Sequence, residues 1–149
     1  MARIVVLGYG NPLRGDDGVG WRVAEAVAER WAEQLVVRTG HQLVPEWAAD
    51  LRHADFVYFV DASPAVDEPK LESVGSAGDA PPVDGHVMQP AQLLGLAHQV
   101  YECSPRAFVL HVPAINFEFG DTLSTLAATG VHQASCLLNA AVKALLCAA

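Results

Sequence analysis

Arg3 to Leu7 is a β-branched apolar run that stops at Gly8 and gives way to the segment GYGNPLRGDDGVG. A run of this kind reads as a buried strand entering a tight loop. From Val19 onward apolar residues recur at Val19, Val23, Val27 and Trp31, with Ala24 and Ala28 beside them. That i, i+4, i+8 spacing draws one stripe along a helix. Asp16 and Asp17 stand just before it, where carboxylates cap free N–H groups and meet the positive end of the helix dipole. A strand, a glycine loop and a helix in this order point to an α/β fold.

The rest of the chain repeats the theme. Leu35 to Thr39 reads as a second strand, Pro45 to His53 as a short helix with Pro near its start, and Phe56 to Val60 (FVYFV) as the strongest buried strand, ending at Asp61. Lys70 to Val74 is a weaker edge strand, Gln92 to Tyr101 a helix, and Ala107 to Val112 another strand before Pro113. Ala134, Leu137, Leu138, Ala141, Val142 and Leu145 form the stripe of a long amphipathic helix. Gly75 to Gly85, rich in Gly, Ala, Pro and Asp, is a mobile loop by composition. Strands alternating with helices predict a mostly parallel sheet with helices on both faces. With 149 residues, no internal repeat and no linker, the whole of 1–149 is expected to be one domain.

Composition excludes several classes. The chain is 52% apolar and only 17% charged, which argues for a filled core and against disorder. Its net charge of −8, without any basic tract, makes nucleic acid and anionic membrane poor partners. Cys103, Cys136 and Cys147 are odd in number and lack CxxC spacing, so a reducing compartment is expected rather than a disulfide framework. The N-terminal apolar run is too short for a signal peptide, and nothing approaches a membrane span. The expectation is a soluble, cytoplasmic protein.

Three features lie just after strands or in the flexible loop: the Asp16-Asp17 pair, Asp61 and His86. If the strands run the same way, their C-terminal loops meet at one sheet edge, where ligands gather in such folds. Two carboxylates and an imidazole with an open position suit a borderline divalent ion such as Ni²⁺ or Zn²⁺ facing water or substrate. Each residue has a bland alternative. One aspartate of the pair can cap the helix while the other binds, Asp61 can be a turn former before Ser63-Pro64, and His86 can be a solvated loop histidine. His53, His98 and His132 fall in predicted helices, and His111 inside a strand reads as a core histidine. His41, after the second strand, is a competing ligand. The Gly8-Tyr9-Gly10 turn has a rival reading as a dinucleotide loop, against which Leu13 stands where GxGxxG needs its last glycine and two aspartates would face the pyrophosphate. Walker and GxSxG signatures are absent, and the cysteines lie away from the strand ends.

The stretch IVVLGYGNPLRGDDGVG resembles the N-terminal signature of the nickel–iron hydrogenase maturation endopeptidases, a strand followed by G-x-G-N and D-[DE]-x-x-G. The similarity continues in order through FVDAS at 59–63, His86 leading into Leu93-Leu94, and FEFGDTLS at 117–124. It implies an α/β/α sandwich around a twisted, mostly parallel sheet of about five strands. It also implies an endopeptidase that removes the C-terminal extension of a nickel-loaded large-subunit precursor. Carried over residue by residue, the metal-ligating and catalytic positions fall on Asp17 (where several relatives have Glu), Asp61 and His86. Asn11, Asp16, Gln42 and Glu46 are expected to contact substrate. The nickel would arrive with the substrate, while zinc or cadmium could occupy the site in a crystal. Where many relatives have a glycine-rich turn after strand two, this chain has His41-Gln42-Leu43-Val44-Pro45-Glu46, resembling the branch that serves soluble, bidirectional or NAD-linked hydrogenases. The large-subunit precursor is the expected partner, and a monomer the expected state. Two alternatives stay open: a metal-dependent peptidase acting on another precursor, or a non-catalytic checkpoint module.

Overall fold

The computed structural model describes residues 1–76 and 87–148. Their strands β1 (Ile4–Tyr9), β2 (Leu35–Gly40), β3 (Phe56–Ser63), β4 (Lys70–Val74) and β5 (Arg106–Pro113) form one sheet in the order β2-β1-β3-β5-β4. β2, β1, β3 and β5 are parallel, and β4 closes the edge antiparallel to β5. The expected α/β sandwich is thus present, with three α-helices among the described residues: α1 (Val19–Arg30), α2 (Pro90–Tyr101) and α3 (Thr125–Cys147).

Period-two alternation along the strands divides the core in two. Ile4, Val6, Tyr58, Val60, Leu110 and Val112 face one way and pack with the buried stripes of α1 and α3. Val5, Leu7, Val57, Phe59, Ala107 and Val109 face the other way, against α2 and the Pro45–Leu51 segment. Both faces of the central strands are dry, which is why FVYFV is a continuous apolar run. The short helix expected over Pro45 to His53 is a 3-10 helix, Pro45–Leu51; it buries Ala48 and Leu51, three residues apart, as three residues per turn require. Helix α2 begins with Pro90 after a reciprocal cap, in which the Gln92 side chain accepts from the Gln89 N–H at 2.7 Å. No helix among the described residues is long and apolar enough to cross a membrane.

Strand β1 lies between β2 and β3, so the chain leaves it first toward one side and later toward the other. This reversal opens a crevice beyond the carboxyl ends of β1 and β3, the customary ligand position in open α/β sheets. Gly20 lets α1 press onto that corner: a Cβ there would lie 2.6 Å from the Val60 carbonyl oxygen and 2.7 Å from that of Tyr9. The glycines of the N-terminal motif therefore serve close packing around the crevice.

Candidate active site

Asp17 belongs to a 3-10 turn, Gly15–Gly18, that links β1 to α1. Its Oδ2 accepts the Asn11 N–H at 2.7 Å, which ties the two ends of the loop together. Gly10, at φ 137°, makes this possible, because any Cβ there would collide with the Asp17 carbonyl oxygen. Asp61 comes from β3, and here the structure differs from expectation. The strand does not stop at Val60 but runs to Ser63, since β5 stays alongside it and pairs Asp61 with His111. Pairing with β1 ends at Gly8 and Val60. Asp61 is therefore fixed by backbone bonds toward β5 while it stands beside the crevice toward β1.

A cavity of about 230 Å³ occupies this crevice, lined by Asp17, Asp61, Tyr9, His41, Gln42 and the 87–89 segment. The two carboxylates singled out in the sequence thus share one cavity. His86 lies outside the described residues. His41 lines the cavity with its ring 6.3 Å from that of Trp21. Among the described residues, however, no three His, Cys, Asp or Glu side chains are grouped closely enough to hold a metal ion. Of the two further residues expected to contact substrate, Gln42 is at the cavity wall, whereas Glu46 is exposed on the 3-10 helix and does not line it. The Asn11 side chain is turned to its own loop and accepts the Leu13 N–H at 3.0 Å. A larger cavity of about 670 Å³ lies at the opposite edge, around Met1 to Val5 and Gln34 to Val36, away from both carboxylates.

Asp16 requires a correction. Expected to contact substrate, it is completely buried. Its oxygens accept from the Ile115 N–H (2.9 Å), the Asn116 N–H (3.0 Å), the Ser124 N–H (2.7 Å) and the Ser124 hydroxyl (2.7 Å). Burial acts to raise its pKa, yet these bonds together outweigh it and hold the carboxyl below its ordinary value. Of the neighbouring aspartates, one braces the loop and the other enters the cavity.

Burial has the opposite result at Asp61. It lifts the carboxyl pKa to about 6, opposed by His111 and the Ala62 N–H and reinforced by the negative charge of Asp17. The unfolded chain releases this proton near its ordinary value of 3.8, whereas the folded protein holds it until about 6. Between those values the folded state binds more protons, so this carboxyl makes stability fall as pH rises through the window. After allowance for its partial exposure, the loss should be about 1–3 kcal/mol. Urea unfolding of the metal-free protein and of Asp61→Asn, compared at about pH 4 and pH 7, should show the gap between them shifting by that amount in favour of Asn at pH 7. An unchanged gap would mean that Asp61 titrates normally.

Two neighbours of Asp61 escaped the sequence reading. His111 is not a core histidine: it is partly exposed, lies level with Asp61 on β5, and its Nε2 is 3.2 Å from Glu72 Oε2 on β4. Asp61, Glu72 and His111 line a second cavity of about 270 Å³. Tyr9, the last residue of β1, lines the first cavity, and burial together with the charge of Asp61 raises its phenol pKa far above the ordinary value. Strand parity carried a signal for all three, because Tyr9, Asp61 and His111 continue the odd-numbered rows that face α2. Using it requires knowing which strands are neighbours.

The fold and site define a class: an open α/β/α sandwich with two carboxylates at the carboxyl edge where its strand order reverses. Solved structures of this architecture carry names. The nickel–iron hydrogenase maturation protease HycI from Thermococcus kodakarensis KOD1 superposes with a TM-score of 0.74 at 18% identity, over 95% of this chain and 93% of that one. The hydrogenase maturating endopeptidase HybD from E. coli superposes with a TM-score of 0.73 at 19% identity, over 95% of this chain and 92% of that one. These similarities establish the fold. The sequence matches no protein-family model and no curated protein.

Proposed function

We propose that this chain is an endopeptidase that removes the C-terminal extension of a nickel-loaded nickel–iron hydrogenase large-subunit precursor. The observation that carries this reading is the meeting of Asp17 and Asp61 in one cavity at the strand-order reversal. The fold is shared with proteins named as hydrogenase maturation proteases, and the motif resemblance runs through the same residues.

In this reading Asp17, Asp61 and His86 complete the coordination of the nickel that the substrate brings. Two carboxylates and an imidazole suit a borderline divalent ion. Asp61, with its pKa of about 6, holds a proton in mildly acidic, metal-free conditions and gives it up to an arriving cation. It is also the carboxylate suited to accept a proton from an attacking water. The metal would polarise the scissile carbonyl or acidify that water. Gln42, at the cavity wall, would hydrogen-bond the extension in this reading.

Incubation with nickel-loaded and metal-free precursor, followed by intact-mass measurement, tests the proposal. The loaded precursor should lose its extension and the metal-free one should stay whole. Equal cutting of both would remove the metal-recognition step. Complex formation without any mass change would make the chain a checkpoint module instead.

A further inference from the structure

The loop that carries Asp17 also carries Leu13 and is tied to a second loop that bears exposed apolar side chains. Leu13, Ile115 and Phe119 are 52%, 62% and 87% exposed. They sit on two loops, one after β1 and one after β5, that are braced rather than loose. The Gly15 N–H donates to the Gly120 oxygen at 2.8 Å, the Gly120 N–H to the Leu13 oxygen at 2.7 Å, and the Asp16 N–H to the Asn116 oxygen at 2.8 Å. The buried Asp16 carboxylate secures the second loop through Ile115, Asn116 and Ser124. A buried carboxylate is costly unless fully bonded, and here its bonds serve to fix loops whose apolar side chains remain in water. Rigid presentation of exposed apolar groups lowers the entropy cost of binding.

Beside this surface runs a groove of about 560 Å³ along α1, whose lining includes Leu13, Trp21, Arg22, Glu25, Glu29 and Asp121. Counting Glu118, the region holds four carboxylates against Arg14 and Arg22, whose guanidinium groups donate to the carbonyl oxygens of Phe117 and Asp121. Two copies of this chain pairing here about a two-fold axis would set one acidic groove near the other, which disfavours self-association. A partner with basic residues around an apolar patch fits instead. The surface and the site share one loop: the Asp17 N–H donates at 3.1 Å to the oxygen of Arg14, the residue next to Leu13.

We propose that Leu13, Ile115 and Phe119, with the acidic groove along α1, form the surface on which the folded body of the precursor docks, through an apolar patch bordered by lysine or arginine. This rests on the proposed function and locates its substrate recognition outside the cavity. The test is steady-state processing of nickel-loaded precursor by wild type and by Leu13→Ser/Phe119→Ser, with Phe119→Ser alone as a second variant should the double one not fold. KM should rise roughly tenfold or more, the equivalent of losing one strong contact, while kcat stays within about twofold and the thermal midpoint is unchanged. Added salt should raise the wild-type KM, and Glu25→Lys/Glu29→Lys should weaken that dependence. An unchanged KM in the serine variant overturns the proposal. So does a wild-type dimer that the same variant makes monomeric with KM intact, which would mark a self-interface. Wild type that neither binds nor cuts the precursor ends the functional reading, and the docking surface with it.

Discussion

Asp61→Asn should abolish processing of the nickel-loaded precursor, by at least about a hundredfold in kcat/KM, while leaving the protein as stable as before or more so at neutral pH. Here two effects of opposite sign follow from one environment. The Asp61 carboxyl is disfavoured in its charged form by burial and by Asp17 nearby, and its backbone is held by β5 irrespective of the side chain. Asparagine keeps the shape, removes the charge and relieves the repulsion with Asp17. It cannot offer an anionic oxygen to a cation or take a proton at neutral pH. Processing assays with intact-mass readout, alongside urea unfolding at about pH 7, check both halves. Lost activity with clear destabilisation would make Asp61 a structural residue, and retained activity would move the site elsewhere.

Asp16→Ala should be the most destabilising single change in this region, by about 3–4 kcal/mol. The carboxylate accepts four hydrogen bonds, three from backbone N–H groups and one from the Ser124 hydroxyl. Alanine leaves these donors without their acceptor, and each unsatisfied buried donor costs about 1–3 kcal/mol before relaxation. Ser124 also caps α3, accepting the Ala127 N–H at 3.1 Å, so the loss reaches the start of the longest helix. For a chain of this size the thermal midpoint should fall by roughly 6–16 °C. A calorimetric scan decides, and a change of less than about 1 kcal/mol would show that water replaces the carboxylate. Because the Asp16 pKa is held below its ordinary value, its contribution is present above about pH 4, where the unfolded chain is already ionised. It should fade as pH falls further.

These two aspartates show where sequence reasoning reached and where it stopped. Asp16 and Asp17 are adjacent, both precede α1, and both suit a cap or a ligand. Their division of labour depends on the 114–124 loop, about a hundred residues away in sequence, whose backbone donors surround Asp16 and not Asp17. No local pattern contains that contact.

The sequence by itself determined the order of strands and helices, the α/β class and the two carboxylates that follow the apolar runs of β1 and β3. Burial imposes a period of two on β1, β3 and β5 and a helical stripe on α1 and α3, and the glycines of GYGNPLRGDDGVG record how closely α1 approaches β1 and β3. Only the tertiary structure decided that β5 lies beside β3 and extends it past Val60, which sets His111 level with Asp61 and Glu72 behind it. Alternation specifies which face a side chain takes, but not which strand will be its neighbour. Strand order and register are fixed by the packing of the whole sheet, and the charge state of Asp61 depends on the groups that this packing brings near it.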